Sequence, residues 1–154
     1  MKLFEAASAT KLVLRTILVR GGAFKAKYEC LDEGEKTRFF VVANFDPEGS
    51  DKLILFTATT QVSKRRKHHR ARADLVLVPL DPATYNGVSE VCVLDCESPI
   101  KRKKIDFLKD VQDRKYTPVT TVPEDVMQRI ANSVREARTL SPAEKRLILG
   151  DAKL

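Results

Sequence analysis

The stretch FTATTQVSKRRKHHRAR, residues 56–72, runs three threonines and a glutamine straight into a tract of cations. Hydroxyls beside guanidinium and ammonium groups suit one task above others, which is gripping a phosphate. Arg offers a two-pronged donor to phosphate oxygens, and a hydroxyl can donate to a third. Other chemistries lack their residues, since there is no phosphate-cradling glycine loop and no Ser/His/Asp order. His68 and His69 are adjacent inside the charged tract and read as exposed loop residues, not as an acid–base pair. The three cysteines, Cys30, Cys92 and Cys96, include no CxxC spacing, so neither a zinc site nor any other cofactor is expected. On an extended segment Cys92 and Cys96 would lie about 13 Å apart, beyond disulfide reach. Catalysis, if present, falls to Arg, Thr, Glu and Lys.

Charge placement points the same way. The net charge is +7, but residues 64–72 carry six cations and 101–104 carry four, which leaves the remainder at −3. An acidic body with two basic patches fits a polyanionic partner better than a uniformly basic chain would. The plain alternative for the first tract is a solvated loop that aids solubility. With 154 residues, 43% of them hydrophobic, the chain is sized for a single domain over 1–154 with one core. Apolar runs of about five residues fall far short of a membrane span. Glu5, Lys11 and Arg15 interrupt any signal-peptide core, so a cytoplasmic protein is expected.

The elements that must position these groups are mostly strands. AFKAKYE (23–29) alternates like a half-buried strand after the bend of Gly21-Gly22. RFFVVAN (38–44) is a continuous apolar run closed by the turn residues of NFDPEGSD, and KLILFTAT (52–59) pairs with it as a hairpin. DLVLVPL (74–80) and VCVLD (91–95) complete about five strands with no βαβ alternation, as in a small closed or semi-closed antiparallel barrel. KLVLRTILV (11–19) fits a strand or a helix equally. Residues 121–150 turn helical. Val126, Ile130, Val134 and Ala137 form one stripe, Thr121 and Glu124 have capping-box spacing, and Ser141-Pro142-Ala143-Glu144 repeats that signal before Gly150.

The order LVRGGAFKAKYE, RFFVVANF, LFTATTQVSK, VCVLDCESPIKRKKIDFLKD and VPEDVMQRIANSVREARTL resembles the MazF/PemK family over roughly residues 17–140. Val19-Arg20-Gly21-Gly22 matches the basic-Gly element entering the first strand, Arg38 the arginine opening the next, and Thr59 in ATTQ the hydroxyl ending the one after. Cys96 to Asp106 and the closing amphipathic helix match as well. Three features differ from the family pattern. Arg38 is followed by Phe39 where proline is usual, the loop from Cys30 to Thr37 is short, and the tract from Arg65 to Arg72 is more basic.

The resemblance implies an SH3-like barrel over 17–110 with C-terminal helices at 121–150. It also implies a metal-independent endoribonuclease toxin of a toxin–antitoxin pair, expected as a homodimer that cuts single-stranded RNA and is neutralised by an antitoxin. Arg38 and Thr59 would be the catalytic pair, and Glu33, five positions before the arginine, the acidic assistant. Lys64, Arg65, Arg66, Lys67, Arg70 and Arg72, with Thr60 and Gln61, would hold RNA, the tract acting as a mobile arm that catches the backbone. Each residue has a plainer reading. Arg38 could pair with Glu33 or Glu35, Thr59 could only close a barrel end, and Glu33 could be a solvated loop residue. Two other functions compete with the ribonuclease: a nucleic-acid-binding barrel that does not cut, and a module whose groove takes an acidic peptide.

Overall fold

The computed structural model describes residues 3–27 and 37–150, with side chains from residue 9 onward. Helix α1 (Leu3–Ile17) settles the ambiguous N-terminal segment as helix. Strands β1 (Ala23–Lys27), β2 (Thr37–Val42) and β3 (Lys52–Thr59) follow. Next come the basic helix α2 (Val62–His69), a 3-10 turn at Arg70–Arg72, the short α3 (Ala73–Val76), then β4 (Leu77–Leu80) and β5 (Cys92–Asp95). Strand β6 (Ile100–Lys103), helix α4 (Lys104–Gln112) and strand β7 (Tyr116–Val119) lead to α5 (Glu124–Glu136) and α6 (Pro142–Leu149).

The seven strands form one antiparallel sheet, and the chain is a mixed α/β fold. Its path runs β4-β5-β3-β2-β1-β7, and β6 also pairs with β3. Along one edge β3 pairs with β6 at residues 52–55 and then with β5 at 58–59, while its other edge carries β2. The described pairings do not join β4 to β7, so they show no closed ring.

Both faces of the central strands are covered, which explains why RFFVV reads as an unbroken apolar run. Phe39 and Val41 point with Ile54 and Phe56 into a core shared with Val126, Ile130 and Val134 of α5. Phe40 and Val42 point the other way, with Leu53 and Leu55, against Ile17 of α1 and Phe107 of α4. The expected hairpin is present, with Phe40 opposite Thr57 and Val42 opposite Leu55. Asn44 ties its loop: its Oδ1 accepts from Ile54 N at 2.7 Å and its Nδ2 donates to Lys52 O at 2.9 Å. At the end of α1 a Cβ on Gly22 would sit 2.0 Å from Ile17 O, so only glycine fits that turn.

Several expectations need correction. The segment 74–80 splits into the end of α3 and then β4, and the polar strands β6 and β7 extend the sheet beyond the five expected. Thr121 and Glu124 form no capping box. Helix α5 opens after Pro123 without a side-chain cap, and the Glu124 carboxylate instead meets the Arg20 guanidinium and accepts from Gln128. The second box is present at α6, where Ser141 Oγ accepts from Glu144 N at 3.1 Å and Glu144 Oε1 accepts from Ser141 N at 2.9 Å.

Glu144 also receives Lys101 at 3.0 Å and Lys52 at 3.4 Å, which fastens α6 to the sheet. The Ser141 N–H first, and then Lys101, hold its carboxyl at about 2, down from 4.5. A depressed folded-state pKa adds stability that is complete above the unfolded value and lost as pH falls through the folded one. Acid unfolding should therefore include a Glu144 component between pH 4.5 and about 2. Urea midpoints measured across that window should fall less steeply in Glu144→Gln than in the wild type. Ser141→Ala should cost about 1 kcal/mol at neutral pH by the same measurement.

Candidate active groove and nucleic-acid face

A groove of about 670 Å³ lies where the ends of β2 and β3 meet the start of α2 and the loop before β5. Strand β2 brings Arg38 to it and β3 brings Thr59. The β2–β3 register pairs residues whose numbers total 97, as in Phe40 with Thr57. The paired stretch ends there, two residues short of Arg38 and Thr59; Arg38 pairs with Ala26 of β1 and Thr59 with Val93 of β5. Thr60, Gln61, Lys64 and Arg65 line the same groove.

Thr57 and Thr59 lie on one face of β3 but differ in what their hydroxyls are doing. Thr57 Oγ1 donates to Phe39 O at 3.0 Å, so its proton is engaged within the hairpin. Thr59 Oγ1 accepts from Gln61 N at 3.2 Å, which orients the oxygen and leaves the hydroxyl proton to be donated outward. Two further residues of the groove escaped the sequence analysis. Lys25 adds a cation from β1, and Glu90 is the one carboxylate lining the groove among the described residues. Neither belongs to a local motif, since only the sheet brings them there. Cys92 also lines the groove, but burial, and then the charge of Glu90, push its thiol up to about 11. A thiol so placed stays protonated and is no nucleophile.

The basic tract is ordered helix, not a mobile arm, although α2 has no buried residue. Acids on other elements hold it down. Asp95, on β5 with only 5% of its side chain exposed, faces His69 Nε2 at 2.8 Å and Arg65 Nη1 at 3.4 Å. Its Oδ1 accepts from Glu97 N at 3.0 Å. His69 is thus a clasp between helix and sheet and not the loop residue expected, while His68 is exposed. Arg72 reaches Glu97 at 2.6 Å and Glu136 O at 2.7 Å, and Arg66 pairs with Asp74 at 2.7 Å on the surface.

These ties divide the proposed RNA ligands. Arg65, Arg66 and Arg72 already have acidic partners, whereas Lys64, Lys67 and Arg70 have no ion-pair partner among the described residues. Arg66, Lys67, Arg70 and Arg72 do not line the groove. Glu33 lies outside the described residues. The second basic patch is largely structural. Arg102 pairs with Asp110, Lys101 with Glu144, and Lys104 Nζ donates to Glu48 O.

Among the described residues no three His, Cys, Asp or Glu side chains gather where they could hold a metal ion, and no helix is long and apolar enough to cross a membrane. The chain matches no protein-family model and no curated protein, so the groove and its residues carry the functional argument by themselves.

Proposed function

We propose that the chain is a metal-independent endoribonuclease of the MazF/PemK type, built on an SH3-like version of this antiparallel sheet. The observation that carries the reading is that Arg38 and Thr59 both line one groove. A phosphodiester seated there would take charge-assisted hydrogen bonds from the Arg38 guanidinium and a hydrogen bond from the Thr59 hydroxyl. The adjacent 2′-oxygen attacks phosphorus and the bond to the 5′-oxygen breaks, leaving a 2′,3′-cyclic phosphate and a 5′-hydroxyl. Among the described residues Glu90 is the carboxylate placed to take the 2′-hydroxyl proton, with Glu33 as the other candidate base; the departing 5′-oxygen takes its proton from solvent. Lys25 and Lys64 add positive potential at the groove, where negative charge grows in the transition state.

The cutting assay uses purified chain, single-stranded RNA and EDTA, with products resolved by gel and mass spectrometry. Cleavage supports the ribonuclease. Binding without cleavage favours a second reading, a nucleic-acid-binding module that does not cut. The feature in its favour is the buried Phe39 standing directly after Arg38, where proline is usual in the family. A homodimer and an acidic-tailed antitoxin partner belong to the ribonuclease reading.

Salt dependence tests the nucleic-acid face. If Lys64, Lys67 and Arg70 alone neutralise phosphates, log K should fall with log salt at a slope of about −2; six unpaired cations would give about −4. Lys67→Ala should make the slope shallower by about 0.7, measured by fluorescence anisotropy with a labelled, uncuttable 2′-O-methyl RNA.

A further inference from the structure

The loop between β4 and β5, residues 81–91, forms one wall of the groove through Gly87, Val88, Ser89 and Glu90. Its first half is pinned. The Asp81 carboxylate accepts from Ala83 N at 2.9 Å, and the Asp81 carbonyl accepts from Thr84 N at 3.0 Å and Tyr85 N at 2.9 Å. Tyr85 is buried, with its hydroxyl donating to Thr120 O and its ring edge-on to Phe39. Asn86 and Gly87 then form a turn in which Asn86 is exposed. Among the described residues neither the Asn86 amide nor the Gly87 N–H has a hydrogen-bond partner. A Cβ on Gly87 would lie 2.2 Å from the held Tyr85 ring and hydroxyl, so glycine is the residue that fits there.

An asparagine amide followed by glycine is open to attack by the glycine nitrogen, because no Cβ shields it. The other two asparagines of the chain are protected. Asn44 is wholly buried, with its Oδ1 and Nδ2 both hydrogen-bonded. Asn132 is exposed but lies in α5, where the nitrogen of Ser133 is committed to the helix and its own Oδ1 accepts from Arg135 at 2.9 Å. We propose that Asn86 is a site of self-modification, where the amide is converted to a carboxylate at the edge of the groove. The Gly87 nitrogen attacks Asn86 Cγ; that bond forms, the Cγ–Nδ2 bond breaks, and ammonia leaves with the proton from Gly87. Water then opens the cyclic imide at either carbonyl, giving aspartate or isoaspartate. Glu90 is the one carboxylate lining the groove among the described residues, so either product adds a second negative charge beside it. Isoaspartate also lengthens the backbone by a carbon between Tyr85 and Gly87, at the wall itself. An aged chain therefore holds a polyanion less well, a consequence that rests on the nucleic-acid reading of the groove, whereas the conversion does not.

Peptide mass spectrometry of the folded full chain, sampled during incubation at neutral to mildly alkaline pH, tests the conversion. The mass increment of an amide becoming an acid should accumulate at Asn86 well ahead of Asn44 and Asn132, with part of the product identified as isoaspartate by enzymatic methylation. Asn86→Gln should remove the increment from that peptide. An unchanged Asn86, or conversion there no faster than at Asn132, would overturn the proposal. Asn86→Asp supplies the aspartate product directly, and thermal unfolding of both variants checks that the fold is kept. The Asp variant should bind the 2′-O-methyl RNA about 2–3-fold more weakly than the Gln variant, the effect of one unit charge acting through water, with the gap closing as salt rises. Equal affinity of the two variants would overturn the effect on the groove. If the wild type binds no RNA, the nucleic-acid reading fails, and the mass measurement still decides the modification.

Discussion

Arg38→Ala should lower the rate of RNA cleavage by about 10²–10³-fold, the scale seen when one fixed donor to a developing negative charge is removed. On the proposed reading binding should fall much less, because Lys67 and Arg70, outside the groove, would still hold the backbone. Single-turnover cleavage and anisotropy on the same preparation separate the two effects. Arg38→Lys keeps the charge and loses the planar fork, so it should recover only part of the rate. Loss of binding and cleavage in equal proportion would make Arg38 a backbone contact and nothing more. The fold should survive either change, since Arg38 is half-buried at the start of β2 while the core residues of that strand begin at Phe39.

The second large effect concerns Asp95. Its carboxylate sits almost wholly within the protein and is the meeting point of His69, Arg65 and the Glu97 N–H. Asp95→Ala removes the acceptor for all three and leaves His69, itself 10% exposed, without its partner. The expected cost is about 2–3 kcal/mol, the range for breaking a charged hydrogen bond in a desolvated setting. The surface pair of Arg66 and Asp74, with side chains 51% and 81% exposed, offers the contrast. Asp74→Ala should cost under about 0.5 kcal/mol. Because α2 buries no residue of its own, the Asp95 change should first appear as faster amide exchange over residues 62–72 and weaker RNA binding. Uniform loss of protection across the sheet would instead make Asp95 a core residue with no special hold on the helix.

What could be read from the residues follows from where each element gets its stability. The β2–β3 hairpin was legible because RFFVV and LILF bury both faces and the residues of NFDPEGSD close them. Helix α6 was legible because its capping box is local, and α5 because its apolar stripe has helical spacing. Helix α2 was not, since its order comes from Asp95, Glu97 and Glu136, far along the chain, and its own composition shows only repulsion. Strands β6 and β7 were missed for a related reason. Ile100–Lys103 and Tyr116–Val119 are short and polar, and they become strands by pairing with β3 and β1. The Thr121–Glu124 spacing failed because the carboxylate found Arg20.

The groove shows the same division. Lys64 and Arg65 were singled out by their charge, and Arg38 and Thr59 by the family resemblance; β2, β3 and the start of α2 bring them to one groove with Thr60 and Gln61. The sequence offered no sign of Lys25 and Glu90, which reach the groove only through strand order and the loop before β5. Nor could charge counting distinguish a cation committed to Asp95 or Glu97 from one left for a ligand.

The central claim is that Arg38 and Thr59 hold one phosphodiester while its own 2′-hydroxyl attacks. Mass spectrometry of cut ends reads this directly, using an RNA oligonucleotide and copies carrying a single 2′-deoxy nucleotide at successive positions. The account predicts 2′,3′-cyclic phosphate and 5′-hydroxyl ends in EDTA, with scission abolished only where the nucleotide 5′ to the cut lacks its hydroxyl. Cutting that continues at the deoxy position, or ends bearing a 5′-phosphate, would contradict it.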